Sequence, residues 1–348
     1  MLKREEIPWY VLHHCKLLIN QVEKIMSQDS DKIEAQADAL SLDTLNPTAL
    51  DKPAYLLNVP FSLAADVANN AWMAEMKEDE RKVDIRKAIN QFLQVYHFMA
   101  SDAVVYLLPT PKMTGLQDLV FCANMGVVLE HMPDKNTVVL SNFSAENRKP
   151  EIGVGQKFFE LMGYDIVMPP HHFEGDAALK HLYDNIYIGG YGTRSEKQAY
   201  EWMAEKFDMQ IIAVEEVEPY LYHLDCTVFP LTREDTLVCT EMYTENEVKQ
   251  IEAVTNIIDV SVDDCFSGIC NSIRLGNSIL NASNIYDMKH TDEYYEEERH
   301  KNRTLEDVAS RYAFELSFFN LSEFLKNGAL LSCMVMHLNR KSYDLVLL

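Results

Sequence analysis

The sequence has no apolar run approaching the ~18 residues that a membrane span needs, so a transmembrane helix is not expected. It is short of positive charge: 31 Lys and Arg stand against 54 Asp and Glu, a net charge of −23. A duplex phosphate backbone would repel such a surface, which argues against nucleic acid as a partner. There is no CxxC pair and no HExxH, and His171-His172 lacks a partner at ligand spacing, so no metal site is expected. The seven cysteines, Cys15, Cys122, Cys226, Cys239, Cys265, Cys270 and Cys333, are odd in number and lack a framework spacing. That points to a reducing, cytoplasmic setting. The opening MLKREEIPWYVLHHCKLL is mixed and charged, without a signal-peptide core. A cationic small molecule is a partner that this acidity would not repel. Composition does not fix the oligomeric state, and a homo-oligomer is compatible with it.

What is present is ordinary globular material: 348 residues, 47% hydrophobic and 24% charged, enough for one large domain or two smaller ones. Residues 1–50 differ from the rest. An apolar pattern from Trp9 to Met26 suits one amphipathic helix, and the run SQDSDKIEAQADALSLDTLNPTALDKP is polar and acidic. We read a helical, acidic N-terminal extension followed by a domain over 51–348. After Pro53, short β-rich runs alternate with helices. Hairpins are expected at Pro133-Asp134, Glu234-Asp235 and Gly276-Asn277. Capping boxes are expected at Ser195–Gln198 and Thr244–Glu247, and helix C-caps at Gly163 and Gly328. The order strand, hairpin, strand, helix, strand recurs roughly every 50–70 residues, as repeats arranged around an axis would give and a doubly wound sheet would not. The charged segment from Tyr286 to Arg311 reads as a solvated helix with its preceding loop.

One short stretch asks for chemistry. YHLDCTVFPL reads as a strand, and His223 and Asp225, two apart, would share one face of it. A polar, solvated face or one satisfied His–Asp pair is the ordinary reading of those residues alone. Cys333 falls shortly after the Gly-capped helix LSEFLKNG, at the start of a strand. A lone cysteine is ordinarily a small core residue. Glu174 and Asp176 flank a glycine in HHFEGDAAL, ordinarily a plain acidic turn.

Taken together and in order, the blocks VANNAWM, DLVFCAN, NRKPE, FEGD, GYGTRS, YHLDC and LSEFLKNGALLSC resemble the guanidino-group modifying superfamily of amidinotransferases and arginine deiminases. The resemblance runs from about residue 55 to 348 and is greatest to the arginine dihydrolase type. It implies a pentein α/β-propeller of five ββαβ units around a pseudo-fivefold axis, with the active site at the centre and no cofactor. Residue by residue, it implies that Cys333 is the nucleophile, His223 the general acid and base, and Glu174 the carboxylate that orients the histidine. It also implies that Asp225 grips the guanidinium, that Asn124 stands where many relatives have a second gripping carboxylate, and that Arg194 holds the substrate's α-carboxylate. Asn70, Arg148 and Asp176 fall in blocks that contribute to the same pocket. FEGDAAL is one residue shorter than the usual block, which displaces Asp176. VANNAWM lacks the usual proline, and NGALLSC has fewer glycines than usual.

The chemistry explains the residue types. A guanidinium is a poor electrophile because its charge is spread over three nitrogens. In-plane acceptors can hold its N–H groups and fix its carbon before a nucleophile. A thiolate attacks well and can leave again. A histidine can protonate departing ammonia and then take a proton from water. The expected activity is hydrolysis of the guanidino group of arginine to ornithine, ammonia and carbon dioxide. The alternatives are amidino transfer to an amine, a deiminase that stops at citrulline, and a non-enzymatic pentein binding module.

Overall fold

The computed structural model describes residues 46–345. The expected N-terminal helix therefore lies outside the described residues. Residues 46–50, assigned to the extension from sequence, are tied into the domain. Asn339 Nδ2 donates to the Pro47 and Leu50 carbonyls, and the Thr48 hydroxyl meets Tyr164 Oη at 2.7 Å.

Among the described residues, fifteen strands form five three-stranded sheets. The first holds β1 (Ala54–Asn58) between β2 (Val104–Leu108) and the last strand, β15 (Met336–His337). The second holds β3 (Gly126–Val128), β4 (Thr137–Leu140) and β5 (Asp165–Val167), and the third β6 (Leu179–Tyr183), β7 (Ile186–Gly192) and β8 (Gln210–Glu216). The fourth holds β9 (Val228–Pro230), β10 (Asp235–Val238) and β11 (Asn256–Asp259), and the fifth β12 (Ile273–Leu275), β13 (Ser278–Ala282) and β14 (Glu315–Phe319). In each sheet the central strand pairs antiparallel on one side and parallel on the other.

A parallel neighbour needs a crossover, and each has a helix. These are α1 (Ile85–Asp102), α2 (Lys149–Leu161), α3 (Lys197–Phe207), α4 (Glu245–Glu252) and α5 (Tyr295–Arg311). The ββαβ unit thus occurs five times, once cut open so that its first strand comes last in the chain. All three expected hairpins form.

Local sequence accounts for most of these elements. In α1, Ala88, Phe92, Val95 and Met99 recur at helical spacing and bury against Tyr55 and Leu57 of β1. Each large apolar side chain so buried contributes roughly 1.5–3 kcal/mol. Asp84 caps α1 by accepting from the Arg86 and Lys87 amides, and the Thr244–Glu247 capping box forms as expected. The expected box at Ser195 does not. Helix α3 starts at Lys197 behind Glu196, without a side-chain cap, because the Ser195 hydroxyl accepts from the Glu174 amide instead. Helix α5 is solvated on one face only. Leu305 and Val308 are buried, as is Lys301, whose Nζ donates to the Ala282 carbonyl. No helix among the described residues is long and apolar enough to cross a membrane.

Just before the first strand of each unit the chain makes a short turn. Four are helical: Cys122–Asn124, Gly175–Ala178, Leu224–Cys226 and Leu331–Met334. The fifth is the loop Gly268–Ser272. Leu331–Met334 packs on Cys122–Asn124, that turn on Gly175–Ala178, and that on Leu224–Cys226. These turns carry Asn124, Asp176, Asp225, Asn271 and Cys333.

Candidate active site

His223 is not on a strand. It is extended (φ −129°, ψ 148°) and leads into the 3-10 turn Leu224–Cys226, while β9 starts only at Val228. The one-face argument for His223 and Asp225 therefore fails. The two diverge instead, His223 lining a pocket and Asp225 fully buried beneath it. Cys333 likewise lies in the short helix Leu331–Met334 rather than at a strand start. Gly328, at φ +70°, turns the chain after the helix Ser322–Leu325 and directs it inward.

Gly175 joins two parts of the site. Its φ is +67°, and a Cβ there would lie 2.4 Å from the Ala123 carbonyl oxygen. Only glycine has both the backbone freedom and the missing side chain that this approach requires. Glu174 and Asn124 are thereby held on adjacent turns.

His223 Nε2 lies 2.7 Å from Glu174 Oε2. Burial pushes the Glu174 carboxyl up, but the hydrogen bond from His223 and the Arg194 and Arg148 guanidinium charges outweigh it, holding it down at about 2. An ionised carboxylate only accepts, so Nε2 carries the proton and Nδ1 is left for proton exchange. Ser144 also donates to Glu174 Oε1, at 3.1 Å from its hydroxyl.

Cys333 Sγ lies 3.5 Å from Asp225 Oδ2, which also accepts from the Ser332 hydroxyl. Burial, with the Asp225 charge added, pushes the Cys333 thiol up to about 12. With no cation nearby the residue is a thiol. A bound guanidinium would offset the Asp225 charge and favour the thiolate.

Asn124 lies across the pocket and is buried. Its Oδ1 accepts from Arg148 Nη1 at 2.9 Å, while its Nδ2 is buried without a partner among the described residues. Arginine can only donate, so the orientation of the amide is fixed. Arg148 is itself held by Glu151, at 3.0 and 2.8 Å, and lies over the Phe143 ring at 4.4 Å. Burial opposes its charge, but Glu151, Asp118 and Glu174 outweigh that and keep it protonated.

Arg194 stacks on Tyr222 at 4.7 Å, donates to the Asn69 carbonyl and lies 3.6 Å from Glu174 Oε1. Asn70 caps the helix Ala71–Glu75 through the Met73 amide and donates to the Asn327 carbonyl. The structure thus brings Asn70, Asn124, Arg148, Arg194, His223 and Cys333 around one narrow pocket of about 20 Å³. Glu174 and Asp225 form its supporting layer. A larger, open depression lined by Glu130, His181 and Arg233 contains none of these residues.

Asp176 is a correction. It does not line the pocket. One carboxylate oxygen accepts from Arg340 Nη2 and the other from His337 Nδ1, both at 2.6 Å. Arg340, Lys180 and His337 overcome its burial and hold its carboxyl far below the usual range.

Sequence reasoning missed Asp118, which lines the pocket and accepts from Asn69, Gln117 and Asn327, although it opens the block DLVFCAN. It also missed Asn271, which contacts Cys333 from the loop before β12.

Comparison with known proteins places this geometry. The chain is 26% identical over 83% of its length to the bifunctional arginine dihydrolase/ornithine cyclodeaminase AgrE of Nostoc sp., of which it covers 38%. It therefore spans little more than a third of that relative. It is 23% identical over 65% of its length to an N(G),N(G)-dimethylarginine dimethylaminohydrolase of Mycobacterium tuberculosis, of which it covers 72%. The solved N-terminal domain of ArgZ, a cyanobacterial arginine dihydrolase bound to product, superimposes with a TM-score of 0.71 at 24% identity. That match covers 82% of this chain and 97% of that one. The fold is the pentein α/β fold, and the relatives hydrolyse guanidino groups. The family described as N,N dimethylarginine dimethylhydrolase, eukaryotic, matches residues 59–339, and the chain belongs to that family.

Proposed function

We propose that this protein is a cysteine-dependent hydrolase of the guanidino group of arginine that proceeds through two rounds, as an arginine dihydrolase. In the first round the Cys333 thiolate attacks the guanidinium carbon, with Asp225 beside it as acceptor for the substrate's N–H groups. His223 protonates the departing ammonia, leaving an S-alkylthiouronium on Cys333. Water then gives a proton to His223 Nδ1 and attacks, releasing citrulline and the thiol. Arg194 takes the substrate's α-carboxylate, and Asp118 supplies negative charge for its ammonium.

The observation that supports a second round is the Asn124 amide. Arg148 occupies its oxygen, so its N–H groups are the ones left for a ligand. A guanidinium has only donors and gains nothing from them. The ureido oxygen of citrulline is an acceptor and does. Asn124 is therefore suited to retaining citrulline. Citrulline and water then give ornithine, carbon dioxide and a second ammonia.

A single-round reaction on methylated arginines is the second reading, favoured by the family match over residues 59–339. Incubation with arginine, then with mono- and dimethylarginine, followed by chromatography for citrulline, ornithine, ammonia and methylamines, separates the two. Ornithine with two ammonia per arginine is expected. Citrulline with one ammonia would leave a deiminase, and ornithine formed only with an added amine acceptor would leave a transferase. No turnover of any guanidine would favour a binding module.

A further inference from the structure

Asn271 lies outside every block that carried the sequence reading, on the turn before β12. Its Nδ2 is 3.4 Å from Cys333 Sγ, and its Oδ1 accepts from the Ser332 amide at 2.8 Å. The residue is buried. A backbone N–H can only donate, so Ser332 fixes the Asn271 oxygen toward itself and the N–H groups toward sulfur. Sγ thus has an acceptor on one side, Asp225, and a donor on the other, Asn271.

We infer that Asn271 is a positioning residue that sets the state of the nucleophile, its amide N–H stabilising the Cys333 thiolate once a cation has engaged Asp225. The inference rests on the reading of Cys333 as the nucleophile. The two neighbours act in opposite directions. A thiol donates to Asp225 and uses the Asn271 N–H weakly, because neutral sulfur is a poor acceptor. A thiolate is repelled by Asp225 and gains a charge-assisted hydrogen bond from Asn271. Loss of the thiol proton therefore moves the sulfur's chief partner from the fourth unit's turn, with Asp225, to the fifth's, with Asn271. The Ser332 contact adds a second effect: the same amide that donates to Sγ anchors the backbone immediately before it, so Sγ is held facing its donor.

The test reads the thiol directly, without turnover. Alkylation of Cys333 by iodoacetamide, with guanidinium chloride present at a sub-denaturing concentration as the cation, is followed by peptide mass spectrometry across pH, which resolves it from the other thiols. Asn271→Ala, which removes the donor without adding charge, is expected to raise the midpoint and slow alkylation at pH 8 by about 10-fold, the range of a hydrogen bond to a charged group. Asn271→Asp keeps an acceptor for the Ser332 amide and is expected to raise the midpoint further. If the alanine variant does not fold, the aspartate variant decides. An unchanged midpoint in the folded variant overturns the inference. With arginine, kcat should fall while the affinity of the Cys333→Ala background for arginine stays unchanged when Asn271→Ala is added. A loss of that affinity would make Asn271 merely structural. Failure of all guanidines as substrates would overturn the proposed function and leave the alkylation result standing.

Discussion

Arg148 Nη1 donates to Asn124 Oδ1 at 2.9 Å, and this bond fixes which side of the Asn124 amide faces the pocket. Asparagine and aspartate have nearly the same shape, so Asn124→Asp alters chemistry with little change of packing. One carboxylate oxygen would keep the Arg148 bond and the other would present an acceptor to the pocket. That suits a guanidinium and repels a ureido oxygen. The variant should release citrulline, with ammonia falling from two toward one per arginine, as counted by coupled ammonia assay. A variant that still yields two ammonia removes Asn124 from product control.

Cys333→Ala should abolish turnover while arginine still binds, because Asp225 and Arg194 remain. Wild-type enzyme quenched during turnover of a slow substrate should show added mass on Cys333. Cys226, half-buried with Sγ 3.8 Å from Asp225 Oδ1, should tolerate alanine with kcat changed less than about 3-fold, within the ±0.5 kcal/mol of an uncommitted side chain.

Arg194→Ala should raise KM for arginine by about 10- to 100-fold, the range of a lost charge-assisted hydrogen bond. KM for agmatine, which has no carboxylate, should change little. Steady-state kinetics on both compounds checks this, and parallel increases would instead assign Arg194 to holding Glu174.

Asp176→Asn should act on stability rather than on substrate. Weakening one partner of a buried ion pair leaves Arg340 undercompensated, a loss of about 3–5 kcal/mol. Urea denaturation should show a lower midpoint, and KM for arginine in the folded fraction should stay within a factor of two. A large KM effect with normal stability would return Asp176 to the pocket.

The Glu174–His223 pair predicts an acid limb. A carboxyl held at about 2 in the folded state, against 4.5 ordinarily, binds fewer protons folded than unfolded. Its stabilisation is fully present above about pH 4.5 and is lost as pH falls toward 2. Urea melts of wild type and Glu174→Gln should therefore differ more at pH 7 than at pH 3. An equal gap at both would mean that Glu174 is not held down by its partners.

Much of this was legible in the sequence because it follows from period and turn chemistry. The hairpins at Pro133, Glu234 and Gly276, the Thr244 cap and the recurring ββαβ order all came from local patterns, and all formed. The resemblance brought Cys333, His223, Asn124 and Arg194 to one pocket. Local pattern failed where the turns are only three or four residues long. His223 and Cys333 fall in apolar runs that imitate strands, and no periodicity can reveal a single turn. Ser195 was read as a cap because its spacing to Gln198 is right, whereas the tertiary contact with Glu174 competes and wins. Asn271 had no local signal at all. Its place follows from the equivalence of five turns, which appears only when the units are assembled.

The pairing of β15 with β1, Tyr55 opposite His337 and Leu56 opposite Met336, links the candidate active site to the cooperativity of folding. The strand that closes the first sheet begins three residues after Cys333, so joining the two ends of the domain and installing the sulfur are one event. An intermediate with four units formed and β15 unpaired would lack the proposed nucleophile, Cys333, whatever the state of His223 and Glu174. Loss of hydrogen-exchange protection at Leu56 and loss of activity should therefore occur together, and partly folded chains should be inert rather than unselective.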